Sequence, residues 1–405
     1  MYHNTKSEQD CCGCFACEKI CGTAAVCMQK DEKGFYYPVV DEEKCVHCGR
    51  CEAVCPMEKN YVGVSAEPEI YAAACRDVRV VKASSSGGVF SALCKWILKQ
   101  DGVVYGAAFD ENYAVSHMRG TTAEAFRRFR GSKYVESNIS AVYQEAEQDL
   151  RAGRTVLLSG TPCQISALKA YLAMRKIPTE KLYTCDIICH GVPSQKVWKD
   201  YLDLIRAQYL AEGDQIQSVN MRSKQQAWES QELKISLKNG NIDKEVRDFS
   251  FNTLFHSLNL HRASCFHCRY TSYQRPGDLT LGDFWNFRQA KLSFQPDAGI
   301  SEILVNTEKG KHLLEAVRKD LQMQEISRKD SWQAHLEFSS KEPAGRRAFW
   351  EEYLKAEVLS EKEQVLRKYM KGSLLTRLIR TAGPVLRKTG LYTAAGKLYR
   401  SVVKR

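Results

Sequence analysis

The sequence predicts an α+β protein in three parts, and three observations carry that reading. Two cysteine runs of identical internal spacing open the chain. A long middle section alternates short apolar strands, loops bearing Gly, Ser and Cys, and amphipathic helices. From Lys371 to Arg405, nine basic residues stand without an acidic one. The expected parts are a small cysteine-rich domain over 1–62, a mixed α/β core whose halves run over 69–160 and 161–330, and a helical basic extension over 331–405.

Composition bounds the function. With 405 residues, 44% apolar and 26% charged, the chain has room for two or three ordinary globular domains. The seventeen cysteines follow a start, Met1-Tyr2-His3-Asn4, that has no apolar leader. That usage points to a cytoplasmic, reducing setting and to metal or redox work rather than disulfides. No stretch approaches the ~18 apolar residues of a membrane span. The net charge of +11 is concentrated in the tail, which leaves the body nearly balanced and argues against a nucleic-acid-binding fold.

The first run places Cys11, Cys14, Cys17 and Cys21, and the second Cys45, Cys48, Cys51 and Cys55 followed by Pro56. Each reads C-x2-C-x2-C-x3-C. That spacing wraps three thiolates round one face of a 4Fe-4S cube and sends the fourth to a neighbouring cube. A ferredoxin-like lobe with two 4Fe-4S clusters is therefore expected. Cys11, Cys14, Cys17 and Cys55 would hold one cluster, and Cys21, Cys45, Cys48 and Cys51 the other. The competing reading is structural zinc, whose C-x2-C pairs seldom come as four cysteines in eleven residues. Between the runs, Gly34–Val40 reads as a short strand of a ferredoxin hairpin. Cys12, in a spacer position, and Cys27 read as packing thiols. Residues 57–68 read as a linker.

The core begins with a buried strand at Ile70–Cys75. Ser84-Ser85-Ser86-Gly87-Gly88 then feeds a helix over Val89–Leu98, with Cys94 and Trp96 as core residues. Free N–H groups at a helix start favour an anion, and Gly lets it approach the backbone. Taken alone, the same loop serves equally as a tight turn with a cap. A hairpin is expected from Val103–Phe109 and Ala114–Met118, and Gly131-Ser132-Lys133 offers a second anion-binding turn. After a helix over Ser140–Arg151, the strand Thr155–Leu158 runs into Ser159-Gly160-Thr161-Pro162-Cys163. Thr161 suits the N-cap and Pro162 the first helical position, which puts Cys163 where a helix N-terminus favours thiolate. The strand Leu182–Ile188 ends in Cys189-His190-Gly191, with His190 read as a structural histidine. Antiparallel strands are expected between Ile216 and Val246, with a turn at Asn239-Gly240. The pair Cys265 and Cys268 alone could be half a zinc site. With Cys163 and Cys189 at strand ends, a third cluster held by Cys163, Cys189, Cys265 and Cys268 is the better account. From about Ala344 the chain reads as helical. Its amphipathic basic end suits either a peripheral membrane contact or an extension packed on the body.

The motifs Ser-Ser-Gly-Gly-Val-Phe-Ser-Ala-Leu, Gly-Ser-Lys-Tyr-Val, Ser-Gly-Thr-Pro-Cys-Gln, Cys-His-Gly and Ser-Cys-x-x-Cys-Arg-Tyr resemble, in combination, the beta subunit of coenzyme F420 hydrogenase/dehydrogenase. The resemblance runs from about residue 8 to about 310. It implies an FAD-binding core with a 4Fe-4S cluster of its own, exchanging electrons between clusters and coenzyme F420 or another small organic carrier. Carried over residue by residue, it puts the flavin loops at Ser86-Gly87-Gly88, Ser132-Lys133 and Gly160-Thr161-Pro162, and leaves Cys185 as a buried thiol. A ferredoxin or another redox protein would be the partner. A second reading makes the chain a non-catalytic electron-relay subunit of a larger complex.

Overall fold

The computed structural model describes residues 2–58, 67–224, 228–229, 232–239, 242–245, 251–294 and 298–370. Most of the linker and the acid-free basic tail lie outside them, as does Gly240 of the expected turn.

The N-terminal lobe is built on a hairpin of β1 (Val26–Lys30) and β2 (Tyr36–Val40), paired antiparallel from Val26↔Val40 to Lys30↔Tyr36. Short helices at Ala16–Ile20 and Arg50–Ala53 each carry the middle of a cysteine run. Phe15, Ile20 and Val54 are buried between lobe and core. Cys27 sits on β1 with its side chain exposed, so it is not the packing thiol expected. Strand alternation turns it outward while Val26 and Met28 face inward.

The core is an eight-stranded mixed sheet. Its strands are β3 (Glu69–Cys75), β4 (Val103–Phe109), β5 (Val115–Gly120), β6 (Val156–Gly160), β7 (Leu182–Ile187), β11 (Leu279–Asp283), β12 (Ser301–Val305) and β13 (Leu321–Glu325). A separate three-stranded antiparallel sheet takes β8 (Gln215–Ser223), β9 (Glu232–Asn239) and β10 (Ile242–Glu245). The large sheet runs β13-β3-β12-β11-β7-β6-β4-β5, parallel through β4, β6, β7 and β11 and antiparallel elsewhere. Near-continuous burial along β6 and β12 is what a sheet covered on both faces requires. Helices Val142–Arg151 and Pro162–Met174, with the lobe, cover one face; Val89–Leu98 and Glu308–Val317 cover the other. The expected β4–β5 hairpin forms with Phe109 opposite Val115.

Helix Gln195–Tyr209 joins the small sheet to the C-terminal helices Arg346–Lys355 and Leu359–Met370 through Trp198, Tyr201, Ile235, Phe349 and Tyr353. Tyr353 donates to Asp200 at 2.7 Å, so these helices pack on the body. No helix among the described residues is long and apolar enough to cross a membrane.

Candidate active site and cysteine centres

Because β4, β6, β7 and β11 are parallel, their carboxyl ends share one edge of the sheet, where α/β folds place ligands. A cavity of about 320 Å³ lies along that edge, at the small end of the usual range for ligand sites. Of the loop residues picked out in the sequence, Ser86, Gly88, Ser132, Lys133, Gly160 and Thr161 line it. Gly87 does not. Its N–H donates to Ser301 Oγ at 3.0 Å and its carbonyl accepts from Cys75 N, so the glycine fastens the loop to the sheet. Pro162 lines a second, smaller cavity instead.

The loops are tied to one another. Ser132 N and Oγ both reach Ser85 Oγ, at 2.8 and 3.1 Å, joining the Ser-Gly-Gly loop to the Gly-Ser-Lys turn. Lys133 Nζ donates to the carbonyls of Arg128 and Arg130 at 2.7 and 2.9 Å, and burial pulls its pKa down to about 7. The Thr161 N-cap forms as expected, in a capping box with Gln164, and the helix Pro162–Met174 begins at the cavity wall.

Several cavity residues carried no legible signal. His117, on β5, places Nε2 3.0 Å from the Ser159 carbonyl and Nδ1 2.7 Å from Ser137 Oγ. The carbonyl partner puts the proton on Nε2, and burial holds the ring neutral by moving its pKa to about 4. Arg222, from the end of β8, pairs with Asp283 and stacks 5.1 Å from the Trp285 ring centroid. Among the described residues, Arg222 Nε, Asp283 Oδ1 and Arg130 Nε are buried and have no hydrogen-bond partner. Two buried, unspent donors and one acceptor beside a cavity are what a polar ligand would satisfy. Gln333 bridges the Asp283 carbonyl and Glu302 Oε2, each at 2.8 Å. The Gly282-Asp283-Phe284-Trp285 segment was the available clue, since it ends β11 at the site edge.

The smaller cavity, about 50 Å³, is lined by Cys163, Cys189, Cys265 and Cys268 together. Elements distant in sequence deliver them: the first turn after β6, the loop after β7, and the short helix Ala263–His267. Burial drives Cys189 up to about 12 and Cys268 up to about 11, and raises Cys265 as well. Cys163 goes the other way, to about 7, chiefly through the neighbouring Cys12 thiol. Four thiols converging on one buried pocket suit a cationic iron centre, which would bind them as thiolates. His190, read as structural, lines both cavities and stacks on His335 with ring centroids 3.9 Å apart. Cys185 is buried in β7 and lines neither cavity.

In the lobe, Cys17 is pushed up first by burial and then by the nearby Cys14, Cys11 and Cys55 thiols, the grouping expected from the spacing. For the other four, Cys45 is felt at Cys51, while Cys48 is exposed and Cys21 sits beside Thr23. Glu42, Cys45 and His47 also bring ligand atoms within 4.8 Å of one another.

Comparison with known proteins bears out the resemblance. Residues 153–329 match the model for the C terminus of the coenzyme F420 hydrogenase/dehydrogenase beta subunit, and residues 37–63 match a 4Fe-4S binding domain. No curated protein matches the chain. Among solved structures, a chain of the xenon-derivatised F420-reducing NiFe hydrogenase complex from Methanosarcina barkeri is similar at 17% identity and a TM-score of 0.44. The match covers 78% of this chain and 93% of that one.

Proposed function

Since residues 153–329 match the C-terminal part of the coenzyme F420 hydrogenase/dehydrogenase beta subunit and residues 37–63 a 4Fe-4S domain, we propose that this chain is an iron–sulfur flavoprotein oxidoreductase. It would connect two lobe clusters and a third, inner cluster with FAD, and through FAD with coenzyme F420 or another small organic carrier. The observation that carries this reading is the shared wall of the two cavities. Thr161, Cys163, Cys189, His190 and Gly191 line both, so the thiol set and the ligand cavity adjoin without an intervening layer.

A flavin bound in the larger cavity would exchange electrons in pairs with an organic carrier and singly with clusters. The chain's part is to hold and orient. The tied Ser85–Ser132 loops and the N-terminus of helix Pro162–Met174 present donors suited to a pyrophosphate. Arg130 and Arg222 offer unspent buried donors to a ring or phosphate oxygen. His117, neutral and pinned, fixes the Ser159 carbonyl and keeps the strand end from reorganising.

The test is anaerobic purification with iron and flavin quantified, followed by reduction of a small acceptor using reduced coenzyme F420 or reduced ferredoxin. About twelve iron atoms, four per cluster, and one FAD per chain are expected, with turnover by the chain alone. Cys265→Ser should remove about four of those irons. Absence of flavin, or turnover only after a partner is added, would instead favour the relay subunit.

A further inference from the structure

Cys12 occupies a spacer of the first cysteine run, a position at which the C-x2-C-x2-C-x3-C arrangement uses no thiol. The backbone on either side of it is clamped. Arg262 Nε donates to the Cys11 carbonyl at 2.7 Å, and the Tyr143 hydroxyl donates to the Cys14 carbonyl at 2.6 Å. Between these anchors Cys12 faces inward, into the wall common to both cavities. Its side chain lines the smaller cavity together with Cys163, and the two thiols are close enough to influence one another. No other described thiol outside the inner set lines the smaller cavity: Cys75, Cys94 and Cys185 are buried elsewhere. The inner site therefore presents five thiols for four ligand positions.

We propose that Cys12 is a reserve ligand of the inner cluster, able to replace Cys163 at the iron that Cys163 holds. The proposal rests on the reading of Cys163, Cys189, Cys265 and Cys268 as the resting ligand set. The exchange is a ligand substitution. One iron–sulfur bond to Cys163 breaks, one to Cys12 forms, the Cys12 proton passes to Cys163, and no electron is gained or lost. The clamp on Cys11 and Cys14 makes it local, because a short side-chain swing of Cys12 suffices while the lobe stays docked. Only Cys163 is backed up in this way. Cys189, Cys265 and Cys268 have no spare thiol in contact among the described residues, so their loss opens the cluster.

The experiment uses the full chain, purified without oxygen. Wild type should carry about twelve irons and Cys189→Ser about eight. A wild type of about eight would refute the inner cluster itself, independently of Cys12. Given an inner cluster, Cys163→Ser should keep about twelve irons with altered electron paramagnetic resonance of one centre. Cys163→Ser combined with Cys12→Ser should fall to about eight. Cys12→Ser alone should keep its full iron but release the inner four to bathophenanthroline several-fold faster than wild type, with Cys27→Ser as the unchanged control. The proposal is overturned if Cys163→Ser alone loses four irons, or if Cys12→Ser releases iron at the wild-type rate. Should Cys163→Ser fail to fold, the release rate of Cys12→Ser decides by itself.

Discussion

Replacing Arg262 with Met should loosen the cysteine lobe from the core while leaving the core folded. The side chain is fully buried. It donates to the Cys11 carbonyl, to the Tyr36 carbonyl at 2.7 Å and to Glu136 Oε1 at 2.8 Å, and lies 4.3 Å from the Tyr37 ring centroid. The partners at Cys11, Tyr36 and Tyr37 belong to the first cysteine run and β2, and Glu136 belongs to the core. Met fills much of the volume but strands a buried carboxylate, a loss of about 3–5 kcal/mol. Each abandoned carbonyl adds about 1 kcal/mol or more. Burial already pushes the Glu136 carboxyl upward, and without Arg262 it would protonate, which caps the loss. Native-state hydrogen exchange of the holoprotein should therefore show protection across residues 11–37 falling about 10²–10³-fold, with strands β6 and β7 unaffected. Combining the change with Glu136→Leu should recover much of the protection. Wild-type protection of the lobe in Arg262→Met, or no recovery in the double variant, would refute the assignment of docking to this buried pair.

Three further outcomes follow from the site. Glu302 is fully buried, its Oε1 has no partner among the described residues and burial pushes its pKa up to about 8, above the ordinary 4.5. A raised carboxyl stabilises the fold below pH 4.5 and loses that contribution, by about 1.4 kcal/mol per unit, as pH rises to 8. Anaerobic urea midpoints at pH 5 and pH 8.5 should converge in Glu302→Gln, and equal slopes in both proteins would count against it. Gly191 has φ +107°, and a Cβ there would meet His261 Cδ2 at 2.4 Å and Cys265 Cβ at 3.2 Å. Gly191→Ala should strain the loop by about 1–3 kcal/mol and lower inner iron, read by iron content. Lys224 Nζ donates to the carbonyls of Val81, Ser86 and Ala298, at 2.9, 2.7 and 2.7 Å. Lys224→Met should free the Ser-Gly-Gly loop and weaken flavin binding about tenfold by equilibrium titration, roughly one such bond's worth.

The sequence was most informative where covalent chemistry dictates spacing. The cysteine runs, the capped start of helix Pro162–Met174 and the β4–β5 hairpin are all local patterns, and the structure contains each helix and strand they imply. Convergence of Cys163, Cys189, Cys265 and Cys268 on one cavity was also legible, because each ends or follows an element of the core. Arg222, His117 and Gln333 were not. They come from β8 of the separate small sheet, β5 of the large sheet and a loop near the C-terminal helices, and only the tertiary packing of these parts brings them to one cavity. Gly87 misled for a related reason: its role is set by Ser301, more than two hundred residues away. Cys12 was judged by its place in a run, and its neighbour across the lobe boundary lies outside any local pattern.

The seam between lobe and core has a kinetic meaning. Gly34, at φ +87°, brings the β1–β2 turn so close to helix Gln195–Tyr209 that a single Cβ would lie 2.6 Å from Lys196 Cβ. Ser194, the cap of that helix, donates to the Lys33 carbonyl. If the lobe passes electrons as proposed, a module fastened at its own turn cannot tumble between a loading and a delivery position. The separation between relay sites is then a fixed tunnelling gap, and electron passage through the chain should be insensitive to solvent viscosity.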